Sequence, residues 1–350
     1  MSQKESQEKN RLIYWLKKRK RLLIGIITII IIVLMIIFID FSKLISNIIN
    51  IGIWGILLFI ITYTIAFLFR SYKLKVVFAG LNQSVEFSIS YFSTGTAFII
   101  NEVTPGKLGD IAKILVIKDQ KNLKLGVSVA GVTIERILDL LFLFIISSFT
   151  LIFVYFVNIN QGKDISILGH DIQFYLLIGA IILTSILLFL IFLFYKQHFI
   201  IRIIQKISTK LATFLNRFLN NFKGSIKQFK EHKKEFFLVI LLSFPTWIID
   251  ALILFIFFTF SGYNLNVIIL ILASILLFFS KTFPITPGGW VISENIGALF
   301  VIIFYPEIPY TDILSIFIID HLFRSTYLFF YGGYSILHYN FKLKGISLTS

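Results

Sequence analysis

The chain has 350 residues, of which 57% are hydrophobic and only 15% are charged, and its mean hydropathy is +0.89. Since soluble globular domains carry about 25% charged residues, this composition indicates a protein with the lipid bilayer as part of its solvent. The net charge of +15 does not indicate nucleic-acid binding, because the basic residues lie between apolar segments and no nucleic-acid-binding motif is present. Cysteine is absent, which excludes disulfides and thiolate metal sites.

Six apolar segments are long enough, or nearly so, to cross a bilayer, since a spanning helix needs about 20 residues. They are residues 22–39, 51–69, 127–157, 172–195, 236–260 and 311–337. The first follows a basic stretch without a small-residue cleavage site, which favours a retained helix over a signal peptide. The sequence therefore predicts an all-α, polytopic helical bundle in the membrane, with six full spans.

Two further apolar regions, 87–117 and 267–304, are interrupted by proline and glycine. Proline removes a backbone donor and glycine loosens a helix, so each region predicts a broken or re-entrant helical hairpin, surrounded by protein or by a wet cavity. A pair of thin ordinary spans is an equal alternative for each. The residues that break the helices are Pro105, Gly106 and Gly109 in the first region and Pro284, Pro287, Gly288 and Gly289 in the second.

The basic residues between the spans are distributed unevenly. One set of loops holds only Lys43 and Lys163, and most others lie in segments 1–21, 70–86, 118–126, 196–235 and the tail after 337. Because cytoplasmic loops carry an excess of Lys and Arg, both termini are predicted to be cytoplasmic. The chain is thus divided into a basic N-terminal segment (1–21), a transmembrane domain (22–337) and a cytoplasmic tail (338–350).

The long cytoplasmic loop 196–235 has its own pattern. Apolar residues recur at every third or fourth position, with Lys and Arg between them. This spacing predicts an amphipathic helix lying on the anionic inner leaflet of a cell membrane. A cytoplasmic extension of the flanking spans is the alternative.

Ionisable residues at membrane depth are costly and are functional candidates. Glu135 and Asp139 share one helix face because they are four residues apart, and Arg136 lies beside them. Asp320 and Arg324 have the same spacing in the last span. A guanidinium binds phosphate through paired hydrogen bonds, so both arginines are expected to line one cavity; structural ion pairs are the alternative.

The breaks supply a second kind of candidate. Each contains Thr-Pro-Gly followed by a new helix, and free backbone amides at a helix start attract anions. We expect both breaks to face one polar cavity, although proline and glycine also serve simply to make a turn, and Glu294 also suits the positive end of its helix. The candidate substrate-binding residues are Lys107, Asp110, Lys113, Glu135, Arg136, Asp139, Glu294, Asp320 and Arg324.

No catalytic signature accompanies these residues. Hydrolase, zinc-protease and nucleotide-binding motifs are absent, and the five histidines lack metal-ligand spacing. The sequence therefore predicts no cofactor, no metal site and no enzymatic activity. A membrane-embedded hydrolase or transferase using Glu135, Asp139 or Asp320 stays an alternative.

In their order along the chain, these elements resemble the transmembrane region of lysylphosphatidylglycerol synthases, the flippase-like UPF0104 family. The matching elements are the Pro-x-x-x-Gly of Pro105 and Gly109, the Glu-Arg-x-x-Asp at 135–139, the Pro-x-x-Pro-Gly-Gly at 284–289 with Glu294, and Arg324. Asp110 and Lys113 stand where the family has Glu and Arg, which makes Lys113 a poorer forked phosphate ligand. No segment of this sequence resembles the soluble aminoacyl-transfer domain of the full synthases, so we do not expect that activity.

The resemblance implies the lipid-translocating half of a synthase without its lipid-modifying half. The expected function is movement of an anionic phospholipid or lipid-linked precursor between leaflets. The alternative is a membrane-embedded enzyme or a glycosylation accessory that acts on polyprenyl-phosphate sugars. The expected partners are the membrane and an anionic or polyprenyl-phosphate-linked lipid, with no nucleic acid; a homo-oligomer is left open.

Overall fold

A computed structural model describes residues 40–104, 108–161, 231–282 and 286–339, two short strands at 166–167 and 170–171, and isolated positions between 185 and 230. Several predicted features lie outside the described residues: the segment 1–21, the spans 22–39 and 172–195, most of the loop 196–235 and of the tail, and Pro105, Gly106, Lys107 and Pro284.

The described part of the chain is helical apart from one short strand pair, which confirms the all-α class. The helices are α1 (Phe41–Ala79), α2 (Phe87–Val103), α3 (Leu108–Lys121), α4 (Leu125–Gln161), α5 (Lys233–Phe260), α6 (Val267–Thr282), α7 (Ile292–Phe304) and α8 (Tyr310–His338). A short 3₁₀ turn covers Pro287–Gly289. The strands β1 (Ser166–Ile167) and β2 (His170–Asp171) pair antiparallel.

Three of the described helices, α1, α5 and α8, are long and apolar enough to cross a membrane. They contain the predicted spans 51–69, 236–260 and 311–337, and α4 contains the predicted span 127–157. Large apolar side chains project from them away from the protein: Trp54 is 71% exposed and Phe330 is 78% exposed. Apolar surface of this kind indicates lipid contact, so the fold is that of a membrane protein.

Helix α1 extends beyond its predicted end. The sequence analysis assigned residues 70–86 to a loop because of their basic residues, but α1 continues to Ala79. Arg70 and Lys73 are helical and buried, at 8% and 1% exposure. They are tolerated there because each forms an ion pair with an acid on another helix, so this loop boundary was wrong.

Both interrupted regions form helical hairpins, the first from α2 and α3 and the second from α6 and α7. In the first hairpin the backbones touch at Gly109: a Cβ there would lie 1.8 Å from the carbonyl oxygen of Ala97. The Gly109 amide donates to Asn101 Oδ1 at 2.8 Å. The second hairpin turns at Gly288, whose φ of +64° favours glycine.

The helices around the hairpins determine where the site lies. Helix α1 packs along α5, and α8 packs against both α2 and α7. Helices α2 and α8 cross closely, since a Cβ on Gly332 would lie 2.4 Å from Ile99 Cβ and 2.8 Å from the Gly95 carbonyl oxygen. Side chains of both hairpins and of three long helices therefore meet in the middle of the bundle.

Candidate functional site

A polar cavity opens between α1, α2, α4, α5, α6, α8 and the second break. Its volume is about 160 Å³. Since a water molecule needs roughly 10–15 Å³, several waters or a group the size of a phosphate fit inside. Its charged lining residues are Arg70, Glu102, Glu135, Arg136, Asp139, Asp250, Lys281, Asp320 and Arg324. Asp250 and Arg324 lie midway along α5 and α8, so this charge is concentrated at membrane depth.

Arg324 forms ion pairs with two acids. Its Nε donates to Asp320 Oδ1 at 2.7 Å, and its Nη1 donates to Asp250 Oδ1 at 2.9 Å. Its Nη2 donates to the backbone carbonyl of Asp250 at 3.0 Å. The guanidinium carbon lies 5.1 Å from the centre of the Tyr63 ring, within cation–π distance. The intrahelical pair of Asp320 and Arg324 therefore exists, but it is part of a network that joins α8 to α5.

Arg70 reaches the same network from α1. Its Nη2 donates to Asp250 Oδ2, and its guanidinium carbon lies 5.3 Å and 5.5 Å from the ring centres of Phe67 and Phe98. Asp250 thus accepts hydrogen bonds from two arginines on different helices. A carboxylate at this depth needs such compensation, because burying an unpaired charge costs several kcal/mol.

Two ion pairs join the first hairpin to α4. Arg136 Nε donates to Asp110 Oδ2 at 3.1 Å and Nη2 donates to Oδ1 at 2.6 Å, in the forked geometry characteristic of arginine. Lys113 Nζ donates to Glu135 Oε2 at 3.0 Å, and these two residues are 0% and 2% exposed. The charges that the sequence places on α3 and α4 therefore largely compensate one another.

Asp139 pairs mainly with a residue on another helix. Lys73 of α1 donates to its Oδ1, whereas Arg136 Nη1 lies 3.9 Å from Oδ2. The sequence placed Arg136 beside Asp139, and the structure adds Lys73 as the closer partner. This contact fixes α1 against α4 at the cavity wall.

His321 of α8 lies between two glutamates from different hairpins. Its Nδ1 contacts Glu294 Oε1 on α7, and its Nε2 lies 3.1 Å from Glu102 Oε1 at the end of α2. Ser325 donates to the same Glu102 oxygen. The imidazole stacks on Trp290, with ring centres 4.0 Å apart and planes 8° apart. Among the described residues, no group of three or more His, Asp or Glu is arranged to hold a metal ion.

The second break contacts the end of the first hairpin. A Cβ on Gly288 would lie 3.0 Å from Glu102 Oε1, and one on Gly289 would lie 2.8 Å from Lys281 Cγ. Glycine therefore permits the close approach of these segments. Glu102 and Gly288 both line the cavity, so the described parts of the two breaks meet on one polar space, as the sequence predicts.

Several hydrogen-bond donors around the cavity are unused. Arg70 Nη1 and Trp247 Nε1 are buried and have no hydrogen-bond partner in the described part of the protein. Lys281 also lines the cavity but takes part in none of the ion pairs among the described residues. An unpaired buried donor costs about 1–3 kcal/mol, so the Arg70 and Trp247 donors indicate a site for an acceptor, and Lys281 adds a positive charge beside them.

The predicted substrate-binding residues occupy two layers. Five line the cavity: Glu135, Arg136, Asp139, Asp320 and Arg324. Three lie behind it and contact a lining residue: Asp110 holds Arg136, Lys113 holds Glu135, and Glu294 holds His321. Arg136 and Arg324 thus share one cavity. Lys107 lies outside the described residues.

Sequence reasoning missed Arg70, Trp247 and Asp250 as parts of the cavity. Arg70 was assigned to a loop, and Asp250 and Trp247 were not among the candidate substrate-binding residues. A usable signal for Arg70 was present, because Tyr63, Phe67 and Arg70 continue one helical face at spacings of four and three. The partners of Asp250 are 180 and 74 residues away in sequence and could not be inferred from local spacing.

The fold and the cavity together define a helical integral membrane protein with a charged central site. Residues 23–332 match the family model of the lysylphosphatidylglycerol synthase transmembrane region, and the chain belongs to this family. This confirms the resemblance inferred from the ordered motifs.

A curated relative gives a consistent comparison. A UPF0104 membrane protein of Methanocaldococcus jannaschii is 24% identical over 319 residues, which cover 88% of this chain and 91% of that protein. No solved structure matches the chain.

Proposed function

We propose that the chain translocates an anionic phospholipid, or a lipid-linked precursor, between the two leaflets of a cell membrane, without catalysis of its own. The observation that carries this proposal is the pair of unused donors on Arg70 and Trp247, with the cation Lys281 beside them in the lining of the same cavity. An N–H donor on a cation binds phosphate oxygen strongly. The cavity can therefore accept a phosphate headgroup while the acyl chains stay in lipid.

The ion pairs of the empty site support the same function. Arg324 and Arg136 are each held by acids, which keep the buried charges tolerable without substrate. A phosphate that enters competes with those acids for the guanidinium groups, which weakens its net binding and favours its release. Translocation requires such a balance, because a substrate that is held too tightly cannot leave on the other side.

The family name points to a lipid. The family is described by the transmembrane region of synthases that make lysylphosphatidylglycerol, so a membrane lipid is the substrate class that we infer. A lipid-modifying reaction needs a reactive group placed beside the substrate, and the charged groups at this cavity are instead arranged as ion pairs. We therefore favour transport over the enzyme that acts on polyprenyl-phosphate sugars.

The proposed topology has six full spans, both hairpins entering the membrane as re-entrant elements, and both termini in the cytoplasm. Backbone at a break is tolerated in the membrane only where protein satisfies its polar groups. The Gly109 amide bonds to Asn101, and the Gly289 amide bonds to the Thr286 carbonyl at 3.1 Å. Because the chain has no cysteine, single introduced cysteines report the topology: an impermeant thiol reagent added outside cells should not label residues 196–235, and strong labelling there would refute this topology.

Translocation can be measured with the purified protein in liposomes. Fluorescent phosphatidylglycerol is placed in both leaflets and an impermeant reductant is added outside, so that inner-leaflet label is lost only if lipid exchanges. Lys281→Gln should slow the exchange about tenfold, because one charged hydrogen bond contributes about 1.5–3 kcal/mol and 1.4 kcal/mol is a factor of ten. The lipid should be recovered chemically unchanged.

The matched control is Lys118→Gln. Lys118 lies in the last turn of α3, is partly exposed and pairs with its neighbour Asp119 at 3.0 Å, away from the cavity. The Lys118→Gln substitution removes the same charge as Lys281→Gln and should leave lipid exchange at the parent rate. A parent protein that exchanges no lipid, or that converts the lipid to a product, contradicts the proposed function.

A further inference from the structure

The contacts of His321 require more protons than a neutral histidine carries. Both ring nitrogens face carboxylate oxygens, Nδ1 toward Glu294 and Nε2 toward Glu102 at 3.1 Å. Each of these contacts needs one hydrogen, and a neutral imidazole has only one N–H. The second proton must therefore reside either on the ring or on one of the two carboxyl groups.

The charge balance of the polar core points to the same proton. The ion-pair networks and the cavity lining contain seven carboxyl groups: Glu102, Asp110, Glu135, Asp139, Asp250, Glu294 and Asp320. They contain six lysine or arginine side chains among the described residues: Arg70, Lys73, Lys113, Arg136, Lys281 and Arg324. One proton shared by His321 and its glutamates balances the charges of these described groups, as burial in a low-dielectric medium favours.

Several groups face the triad from the helices packed around it. Lys281 of α6 interacts electrostatically with both glutamates. Ser325 donates to Glu102, and Tyr63 of α1 is close enough to Glu102 to sense its charge. On its cavity side the triad shares the lining with Arg70, Glu135, Arg136, Asp139, Asp250, Asp320 and Arg324.

A path between the cavity and the triad is present. Glu102 and His321 line the cavity, whereas Glu294 is 1% exposed and lies behind His321. Glu294 Oε2 has no hydrogen-bond partner within the described part of the chain. A proton from the cavity can therefore reach Glu294 through His321. The imidazole that carries it is covered on one face by the stacked Trp290 ring.

We propose that Glu102, His321 and Glu294 form a proton-binding site, and that its proton couples the two hairpins during transport. The coupling part rests on the translocation proposed above. Glu102 lies in the last turn of α2, the first helix of the first hairpin, Glu294 lies in the first turn of α7, the second helix of the other hairpin, and His321 of α8 contacts both. Loss of the proton places an imidazole lone pair against a carboxylate, which is repulsive, so this contact between the hairpins opens.

Trp290 provides a direct reporter of the site. A protonated imidazole stacked on an indole quenches its fluorescence, and here the rings are 4.0 Å apart. The pH-dependent signal of Trp290 is obtained in detergent as the parent signal minus that of Trp290→Phe. We expect one single-proton transition in this signal. The transition should be absent in His321→Gln, and Glu294→Gln should need a higher proton concentration for the same quenching, because the imidazolium loses an anionic partner.

The control is Glu86→Gln, which removes an exposed carboxylate that pairs with Lys121; it should leave the transition unchanged. Absence of the transition in the parent, or its persistence in His321→Gln, overturns the proton site whether or not the protein moves lipid.

In liposomes, lipid exchange by the parent should change at least about threefold across the same transition, and exchange by Glu294→Gln should be shifted in parallel. A fluorescence transition accompanied by pH-independent lipid exchange overturns the coupling. A parent protein that moves no lipid at any pH contradicts the proposed function, and the fluorescence titration alone then tests the proton-binding site.

Discussion

The two charged regions of the bundle differ in how completely they use their hydrogen-bond donors. Where the first hairpin meets α4, Lys113 and Arg136 each have a carboxylate within 3.0 Å. Around the cavity, Arg70 keeps one unused nitrogen and Lys281 takes part in none of the ion pairs of the described residues. Charges of the same kind therefore serve two purposes, because complete pairing stabilises a fold and incomplete pairing leaves capacity for a ligand.

The largest effect on stability is expected in the fully paired region, where the first hairpin meets α4. Lys113→Met leaves Glu135 as a buried charge without its partner, which costs about 3–5 kcal/mol. Thermal unfolding in detergent should show a much lower midpoint, or the protein should fail to accumulate. Lys118→Met, at a partly exposed site on the same helix, is the control. A Lys113→Met protein as stable as the parent would show that this pair does not support the fold.

A second large effect on stability is expected at Gly109. A methyl group at this position meets the backbone oxygen of Ala97 at 1.8 Å, so Gly109→Ala must push α2 and α3 apart. The midpoint of thermal unfolding should fall, because backbone atoms cannot move aside as a flexible side chain can. Gly333→Ala is a suitable control, because a Cβ there meets no atom within 4 Å. Equal midpoints for the two variants would contradict the close contact within the hairpin.

Arg324→Lys tests whether an arginine that forms ion pairs within the protein also binds the phosphate of the substrate. Lysine keeps the charge and one contact to Asp320 or Asp250 but loses the planar fork that binds two oxygens at once. Lipid exchange should fall about tenfold or more, since loss of one charged hydrogen bond costs about 1.5–3 kcal/mol, while the protein still folds and inserts. Arg136→Lys should act in the same direction. If both variants fold well and exchange lipid at the parent rate, phosphate recognition lies elsewhere.

The smallest effect is expected at Trp247. Trp247→Phe removes an indole N–H that has no partner among the described residues, and it retains an aromatic ring beside Phe278. Lipid exchange should fall only a few-fold, because a neutral hydrogen bond contributes about 0.5–1.5 kcal/mol. The unfolding midpoint should stay the same or rise, since an unsatisfied donor is lost. A clear drop in stability with unchanged exchange would assign Trp247 to the core instead of the ligand site.

The sequence predicted the helical elements and the breaks more reliably than the partners of charged residues. Apolar length predicted α5 and α8 within a few residues, because a membrane span is a local property of the chain. The intrahelical pair of Asp320 and Arg324 was predictable for the same reason, since its spacing is local.

The partners that complete the site depend on tertiary packing. Glu102 and His321 are 219 residues apart in sequence, and Lys73 and Asp139 are 66 apart. No periodic pattern brings such residues together before the helices pack. The count of Lys and Arg even obscured the site, because it treated Arg70 and Lys73 as loop charges although both are buried in α1.

The close crossing of α2 and α8 has a mechanical consequence. Because their backbones touch between Gly95 and Gly332, this pair cannot slide or separate without losing a large packed area, and the two helices must move as one rigid body. The second hairpin meets that body through polar contacts at Glu102 and His321, which can break and re-form, and through apolar packing of α7 on α8, where Gly297 lies close to Phe317. For the translocation proposed above, we expect the second hairpin to rock against this rigid pair of helices. Spin labels placed on α2 and α8 should keep a single separation. Labels placed on α7 and α8 should show two different separations.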